Sequence, residues 1–428
     1  MTVKVGLVGT GTVGGGCIEI LRNHKEDFKR HYGIDIELTR VCSRNPEQAI
    51  EHGVDDIFTQ DYQDIINDPD IDLVIELIGG TGVAKNVILE ALGAGKHVVT
   101  ANKALMASAG EEIFAKAAEK DLEVAFEASV GGGIPIIGPL KHSLIANEIS
   151  SIMGIVNGTT NYMLTRMEEA GLSYDEALRE AQDKGFAEAD PTADVDGLDA
   201  AAKIAILSSI AFNSRVTMDD VYAEGIRNLN PVDIAMAKDM GFAVKLVALA
   251  YRSDEGVAVR VHPTMIPLEH QLATVNGVFN AIFVVGDAVG ETMFFGEGAG
   301  SGPAASAVMG DVLEVCRHIQ MGIKPIVGCT CMDELPILSM EDAKYKYYLR
   351  FVVADRSGVL AATANIFAKY QISVQSVTQR GTKARNAVDL VFLTHTAEER
   401  NMRKAIEEIL ALDGVVTGGE PSVIRVVD

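Results

Sequence analysis

Between Gly185 and Ile206 the chain reads GFAEADPTADVDGLDAAAKIAI, with Glu188, Asp190, Asp194, Asp196 and Asp199 crowded together and no basic residue among them. One cation follows, Lys203, inside an apolar run. In a helix that begins near Gly197, Asp199 and Lys203 stand four residues apart and share a face. The residues after Lys203, IAILSSIAF, leave that helix little polar surface, so the ammonium enters a buried setting. A buried charge must be paired or neutralised. Nearby carboxylates hold the lysine charged, while loss of water draws its pKa down. A group balanced in this way suits proton exchange with a hydroxyl or carbonyl oxygen. The other acids also call for a cation, and a substrate ammonium held between Glu188 and Asp194 would serve. The cluster therefore points to an amino-acid substrate. A solvated acidic loop ahead of an ordinary ion pair is the plainer alternative.

A second chemical signal lies at the start. VGLVGTGTVGGG sets Gly9, Gly11 and Gly14 in G-x-G-x-x-G, with Thr12 and Val13 between, directly after an apolar strand and before a helix. Gly9 permits the tight turn, Gly11 lets backbone approach a pyrophosphate, and Gly14 lets helix and strand pack closely. The helix N-terminus offers free N–H groups to phosphates. In that context dinucleotide binding is favoured over a ligand-free glycine turn. An NAD-specific site usually ends its second strand with Asp or Glu for the ribose hydroxyls. Here IELTRVCSRN offers Arg40, Ser43 and Arg44, so NADP is favoured, with NAD possible.

The elements that position these groups follow from pattern. VKVGLVG and IDLVIELIGG are short apolar runs of the kind buried on both faces of a parallel sheet, and helices such as VAKNVILEALGAG alternate with them. That order predicts a Rossmann-type doubly wound α/β domain over residues 1–135, to which a helix at 302–318 returns. Residues 136–318 read as an α+β substrate-binding and dimerisation domain. Its helix SYDEALREAQDKG opens with a capping box, Ser173 to Glu176, and FAVKLVALAYRS, VAVRVHPTMI and AIFVVGDAVGETMFFG are antiparallel strands. Residues 319–345, with Pro325 and Pro336, read as a linker. Residues 346–428 recover strand–helix–strand–strand–helix–strand order, the ferredoxin-like βαββαβ pattern.

Composition narrows the class. A formal net charge of −23 over 428 residues argues against nucleic acid and anionic membrane surfaces as partners. No segment approaches a membrane span, and MTVKVGLVG lacks a signal-peptide layout. Five cysteines at 17, 42, 316, 329 and 331 fit a reducing compartment, so a cytoplasmic protein is expected. The pair in CTC has no second pair at zinc-like spacing and reads as incidental.

GTGTVGGG, TANKAL, EASVGGGIPII, NGTTNYML, GFAEADPTADVDGLDAAAKIAIL and GAGSGPAASAVMGD, in this order, resemble homoserine dehydrogenase from residue 1 to about 318. The resemblance implies reversible NAD(P)H-dependent reduction of L-aspartate 4-semialdehyde to L-homoserine, on the route to threonine, methionine and isoleucine. It implies that Lys203 is the acid/base and that Lys103 is a second lysine at the cofactor–substrate junction. Glu188 and Asp199 match positions that hold the substrate, and Asp194 belongs to the same wall. Glu127, Val130, Gly132 and Ile134 match a monovalent-cation site, expected to take Na+ through oxygens. Gly300 matches a position near the cofactor. Ala304 departs from the threonine common at that place in the family.

VVADRSGVLAATANIFAKYQISVQSVTQRG resembles an ACT domain. The resemblance implies pairing through sheets and an amino-acid effector, L-threonine, near Asp355, Gly358 and Val359. A closed assembly, homodimer or homotetramer, is expected. The alternative of a ligand-free dimerisation module stays open. Aspartate-semialdehyde dehydrogenase needs a catalytic Cys in its middle domain, and none of the five falls there. A non-catalytic amino-acid sensor would have lost Lys203 or Lys103, and both are present.

Overall fold

The structure, a computed structural model, describes residues 1–325, 328–381 and 386–427. Residues 326 and 327 of the expected linker, and 382–385 and 428 of the expected C-terminal module, lie outside the described residues. The chain divides into two compact units, each assembled from separated stretches. The first comprises Met1–Val156, Ala202–Val221 and Phe279–Leu335; the second comprises Asn157–Ala201, Tyr222–Val278 and Pro336–Asp428.

In the first unit six parallel strands lie in the order Phe58–Thr59, Asp35–Cys42, Thr2–Val8, Leu73–Glu76, His97–Thr100, Val124–Ala125. This is the doubly wound order, in which ligands bind outside the carboxyl ends where the strand order reverses. Helix Thr12–Tyr32 and helix Ser301–Met321 share one apolar cluster with these strands, through Cys17, Ile18, Leu21, Ala305, Val308, Val312 and Val315. Gly16 makes the close helix crossing possible, because a Cβ there would stand 2.8 Å from that of Ala305. Strands Ile149–Ile155, Phe279–Gly286 and Gly290–Glu297 pair antiparallel in the same unit.

The second unit holds the hairpin Phe242–Ser253 and Gly256–Pro267, paired along all twelve residues of each strand. Both strands are almost wholly buried, which explains why their sequences run apolar instead of alternating. The C-terminal stretch has strands Lys344–Ala354, Val374–Gly381, Ala387–Thr394 and Val416–Val426 with helices Val359–Lys369 and Glu399–Leu410. Its sheet order is 416–426, 344–354, 387–394, 374–381, all antiparallel, around a core that includes Tyr347, Phe351, Phe367, Phe392 and Met402. The parallel sheet, the mixed sheet of the middle region and the βαββαβ end are the architecture the sequence calls for. The capping box at Ser173 and Glu176 is also in place.

The proline-rich stretch expected as a linker is bonded locally. Helix Ser301–Met321 extends past residue 319, the Val257 amide donates to Pro336 O, and the Leu338 amide donates to Val257 O. Weak periodicity marked the lack of regular elements, not a lack of partners.

Candidate functional site

In the first unit, a cleft of about 1150 Å3 opens at the carboxyl ends of the central strands, lined by Gly9, Thr10, Gly11, Ser43, Arg44 and Gly79–Gly80 among others. Gly9 has φ +109°, and a Cβ on it would sit 2.7 Å from the Leu77 carbonyl; a Cβ on Gly14 would be 2.0 Å from Gly9 O. Around Gly11, the N-cap of the first helix, nothing lies within 4 Å of such a Cβ. The loop is thus packed shut below and open above at the N–H groups of Thr12 and Val13, which suits a pyrophosphate. Gly300, at φ +127°, starts the helix whose Ser301 Oγ donates to Thr12 O at 2.7 Å, so it borders the same loop.

Arg40 is not brought into this cleft. It lies two residues before the end of strand Asp35–Cys42 and meets Asp68 at 3.8 Å. Two residues back along a strand is roughly 6.6 Å short of the carboxyl edge. Ser43 and Arg44, past the edge, line the cleft instead.

Lys103 is the first residue of helix Lys103–Glu119, after its N-cap Asn102. That position is fixed by a network that sequence reading missed. The fully buried Glu76 accepts from the Ile78 and Gly79 amides at 2.8 and 3.1 Å and from Thr100 Oγ1 at 2.7 Å. Thr100 Oγ1 accepts from the Asn102 amide, and Asn102 Nδ2 donates to Gly80 O at 2.7 Å. One carboxylate thereby shapes the cleft wall at Gly79–Gly80 and sets the start of the Lys103 helix. Lys203, buried on helix Leu198–Ala211, donates from Nζ to Val156 O at 2.7 Å.

The segment expected to hold a cation also has its carboxylate occupied. Glu127 accepts from the amides of Ile136, Ile137 and Gly138 at 2.6, 2.8 and 2.6 Å. Its own amide donates to Asp311 at 2.8 Å, and burial pushes the Asp311 carboxyl well above the usual range. Among the described residues no group of three or more His, Cys, Asp or Glu could hold a metal. Val130, Gly132 and Ile134 would contribute carbonyl oxygens, a donor set that fits a weakly bound hard cation and not a transition metal.

In the second unit the acidic cluster divides. Asp190 accepts from the Thr192 amide, and Asp196 is ion-paired to Arg227; both serve local structure. Asp194 and Asp199 converge instead on one nitrogen, Asn157 Nδ2, at 2.7 and 2.9 Å. Asn157 Oδ1 caps helix Gly158–Ala170 by accepting from the Thr160 amide at 2.9 Å. Glu188 is exposed, its carbonyl held by Gln182. One neutral donor thereby brings two carboxylates together at the start of the helix that carries Lys203. Asn157 was missed in the sequence, where N-G-T-T is the N-cap signal that could have found it.

In the C-terminal module Asp355 and Gly358 lie on the exposed turn before helix Val359–Lys369, whereas the Val359 side chain is in the core.

Comparison with known proteins decides what this arrangement belongs to. The family model described as "Homoserine dehydrogenase" matches residues 135–313, "Homoserine dehydrogenase, NAD binding domain" matches 9–127, and "ACT domain" matches 347–414. The homoserine dehydrogenase of Synechocystis sp. is 44% identical over 435 residues, covering 100% of both chains. The chain belongs to the homoserine dehydrogenase family. It is therefore an oxidoreductase with an NAD-binding domain and a C-terminal ACT domain. The crystal structure of a homoserine dehydrogenase from Thiobacillus denitrificans has a TM-score of 0.94 at 43% identity, covering 100% of this chain and 99% of that one. A hyperthermophilic archaeal homoserine dehydrogenase solved in complex with NADPH matches 74% of this chain and 98% of its own, with a TM-score of 0.64 at 26% identity. Among the described residues no helix is long and apolar enough to cross a membrane.

Proposed function

We propose that this enzyme interconverts L-aspartate 4-semialdehyde and L-homoserine with NADPH as the preferred cofactor, on the route to threonine, methionine and isoleucine. The reading is supported by the gathering of Asp194 and Asp199 on Asn157, an acidic wall suited to an amino-acid substrate, within a family of this activity. NADPH, when bound, supplies the hydride. The amides at Thr12 and Val13 take its pyrophosphate, and Arg44 with Ser43 favours a 2′-phosphate over the bare ribose. Lys203 gives a proton to the aldehyde oxygen as it becomes an alcohol and recovers it in the reverse direction; Val156 O fixes where its ammonium stands. Lys103, at a helix start set by Glu76 and Asn102, orients the same oxygen. Asp194 and Asp199, with Glu188 at the loop, hold the substrate ammonium. A monovalent cation, sodium in our reading, takes the carbonyl oxygens of Val130, Gly132 and Ile134 and steadies the 127–138 turn. L-threonine acts through the turn at Asp355 and Gly358 of a paired ACT module, and the enzyme works in the cytoplasm as a homodimer or homotetramer.

The test is the initial rate with L-homoserine and NADP+, repeated with NAD+ and with L-threonine. Turnover faster with NADP+ and suppressed by threonine is expected. Lys203→Ala should lose roughly 10³-fold in kcat while cofactor binding survives; a near-normal rate in that variant would remove the role given to Lys203.

A further inference from the structure

Within the first unit, a second cleft of about 690 Å3 lies away from the glycine loop. Its walls are Met106 and Phe114 on the helix that begins with Lys103, and Ile206 and Ile210 on the helix that carries Lys203. Cys329 and Cys331 line it as well. The other three cysteines are buried, whereas Cys329 is exposed and Cys331 half-buried, and all five are free thiols. The two cysteines at the cleft stand two residues apart in the chain. Near them the Lys141 ammonium sits 5.5 Å from the ring centroids of both Phe114 and Phe126.

We propose that Cys329 and Cys331 form a peroxide-reactive dithiol, a modification site in which Cys329 attacks and Cys331 resolves. The Cys329 thiolate displaces one oxygen of hydrogen peroxide: the O–O bond breaks, a sulfenic acid forms, and the other oxygen leaves as water after taking a proton. Cys331 sulfur then attacks that sulfenic sulfur. The S–O bond breaks, the S–S bond forms, and the hydroxide leaves as water with the Cys331 proton. Two thiols are oxidised and one peroxide is reduced to two waters. The neighbouring Cys331 thiol, helped by the Lys141 charge and opposed by burial, draws the Cys329 thiol below its ordinary range, which favours the thiolate. The charged groups around the pair are Lys141, Glu111 and Arg215, with Asp121, Glu123 and Lys324 further along the adjoining cleft.

The site is tied to the catalytic scaffold. Cys331 Sγ stands 3.5 Å from Ser209 O, on the Lys203 helix, and the Asp333 amide donates to Asn213 O at 2.9 Å just beyond it. Closing the Cys–Thr–Cys ring therefore draws on the C-terminal end of that helix.

The test uses the full-length chain, hydrogen peroxide near one equivalent, and peptide mass spectrometry. The expected product is an intrachain link within 329–331, reversed by dithiothreitol, while Cys331→Ser instead accumulates a dimedone-trapped sulfenic acid on Cys329. Alkylation of Cys329 by iodoacetamide should show a midpoint below the ordinary thiol value of about 8.5 in the native chain, moving up toward it in Cys331→Ser. An ordinary midpoint in the native chain, or a peroxide product that joins two chains, would overturn the proposal.

Discussion

The Asn157 carboxamide gives its oxygen to the Thr160 amide and its nitrogen to Asp194 and Asp199, so substitutions can separate the two duties. Asp caps a helix as well as Asn does. Asn157→Asp therefore keeps the cap but removes the donor and sets a third carboxylate against the other two. A hydrogen bond to a charged group is worth roughly 1.5–3 kcal/mol, so kcat/KM for L-homoserine should fall about 10- to 100-fold. Asn157→Ala loses the cap too, and should cost about 1 kcal/mol of stability in thermal unfolding beyond its kinetic loss. An unchanged KM in both variants would make the carboxamide a cap and nothing more. At this scale the sequence showed Asp199 and Lys203 because they are helix neighbours. It could not show Asn157, which meets Asp194 across 37 residues. Nor could composition separate Asp190 and Asp196, spent on a turn and on Arg227, from the acids that remain.

Among the elements, the glycine loop was legible because its three requirements are local: a turn, an open N-terminus and a helix crossing within six residues. Glu76 and Thr100 were not, since they end neighbouring strands and meet only once the sheet order is known. Arg40 sits two positions before its strand ends and meets Asp68, while Arg44, past the edge of the sheet, lines the cleft, a difference that residue type alone does not carry. Glu76→Gln is the test of the strand-end network. Glutamine fills the same space but offers one acceptor where Glu76 offers two, leaving a buried partner unsatisfied at about 1–3 kcal/mol. The expected outcome is an NADPH dissociation constant, read by cofactor fluorescence, weaker by about tenfold. The KM for L-homoserine should move much less. An equal rise in both would mean that the network supports the fold at large, not the cofactor cleft.

Over the molecule, the order of strands and helices announced a Rossmann-type start and a βαββαβ end, whereas the joint between the C-terminal module and the rest of the second unit could not be read. Strand Val416–Val426 pairs parallel with Gly256–Pro267 at Thr264–Arg425 and Met265–Val426, a non-local match that no periodicity encodes. Charged groups are buried beside it. Arg425 reaches Glu224 at 2.7 Å and Glu399 at 2.7 Å, and Glu399 also accepts from Tyr347 at 2.8 Å; nearby, Arg350 and Tyr348 converge on the fully buried Asp233. Burial pushes the Glu399 carboxyl up, but the bonds and charge of Arg425, with Tyr347 and Arg403, outweigh it and hold the group at about 2. A carboxyl depressed on folding stabilises the protein fully above its unfolded pKa of about 4.3, and that stabilisation is lost as pH falls toward the folded value. Glu399→Gln lacks this term and leaves Arg425 short of one buried partner, so it should be less stable by about 3 kcal/mol at pH 7. The gap should hold down to pH ~5 and narrow below pH ~4.3, where the carboxyl of the unfolded chain takes up its proton while the folded one stays ionised. Denaturant unfolding of both proteins across that range is the measurement. A gap independent of pH would assign the loss to packing and not to the charge on Glu399. If the joint also transmits the effector signal, the same variant should bind L-threonine by calorimetry yet respond to it more weakly in turnover, since coupling requires that both states of the module be felt by the strand it pairs with.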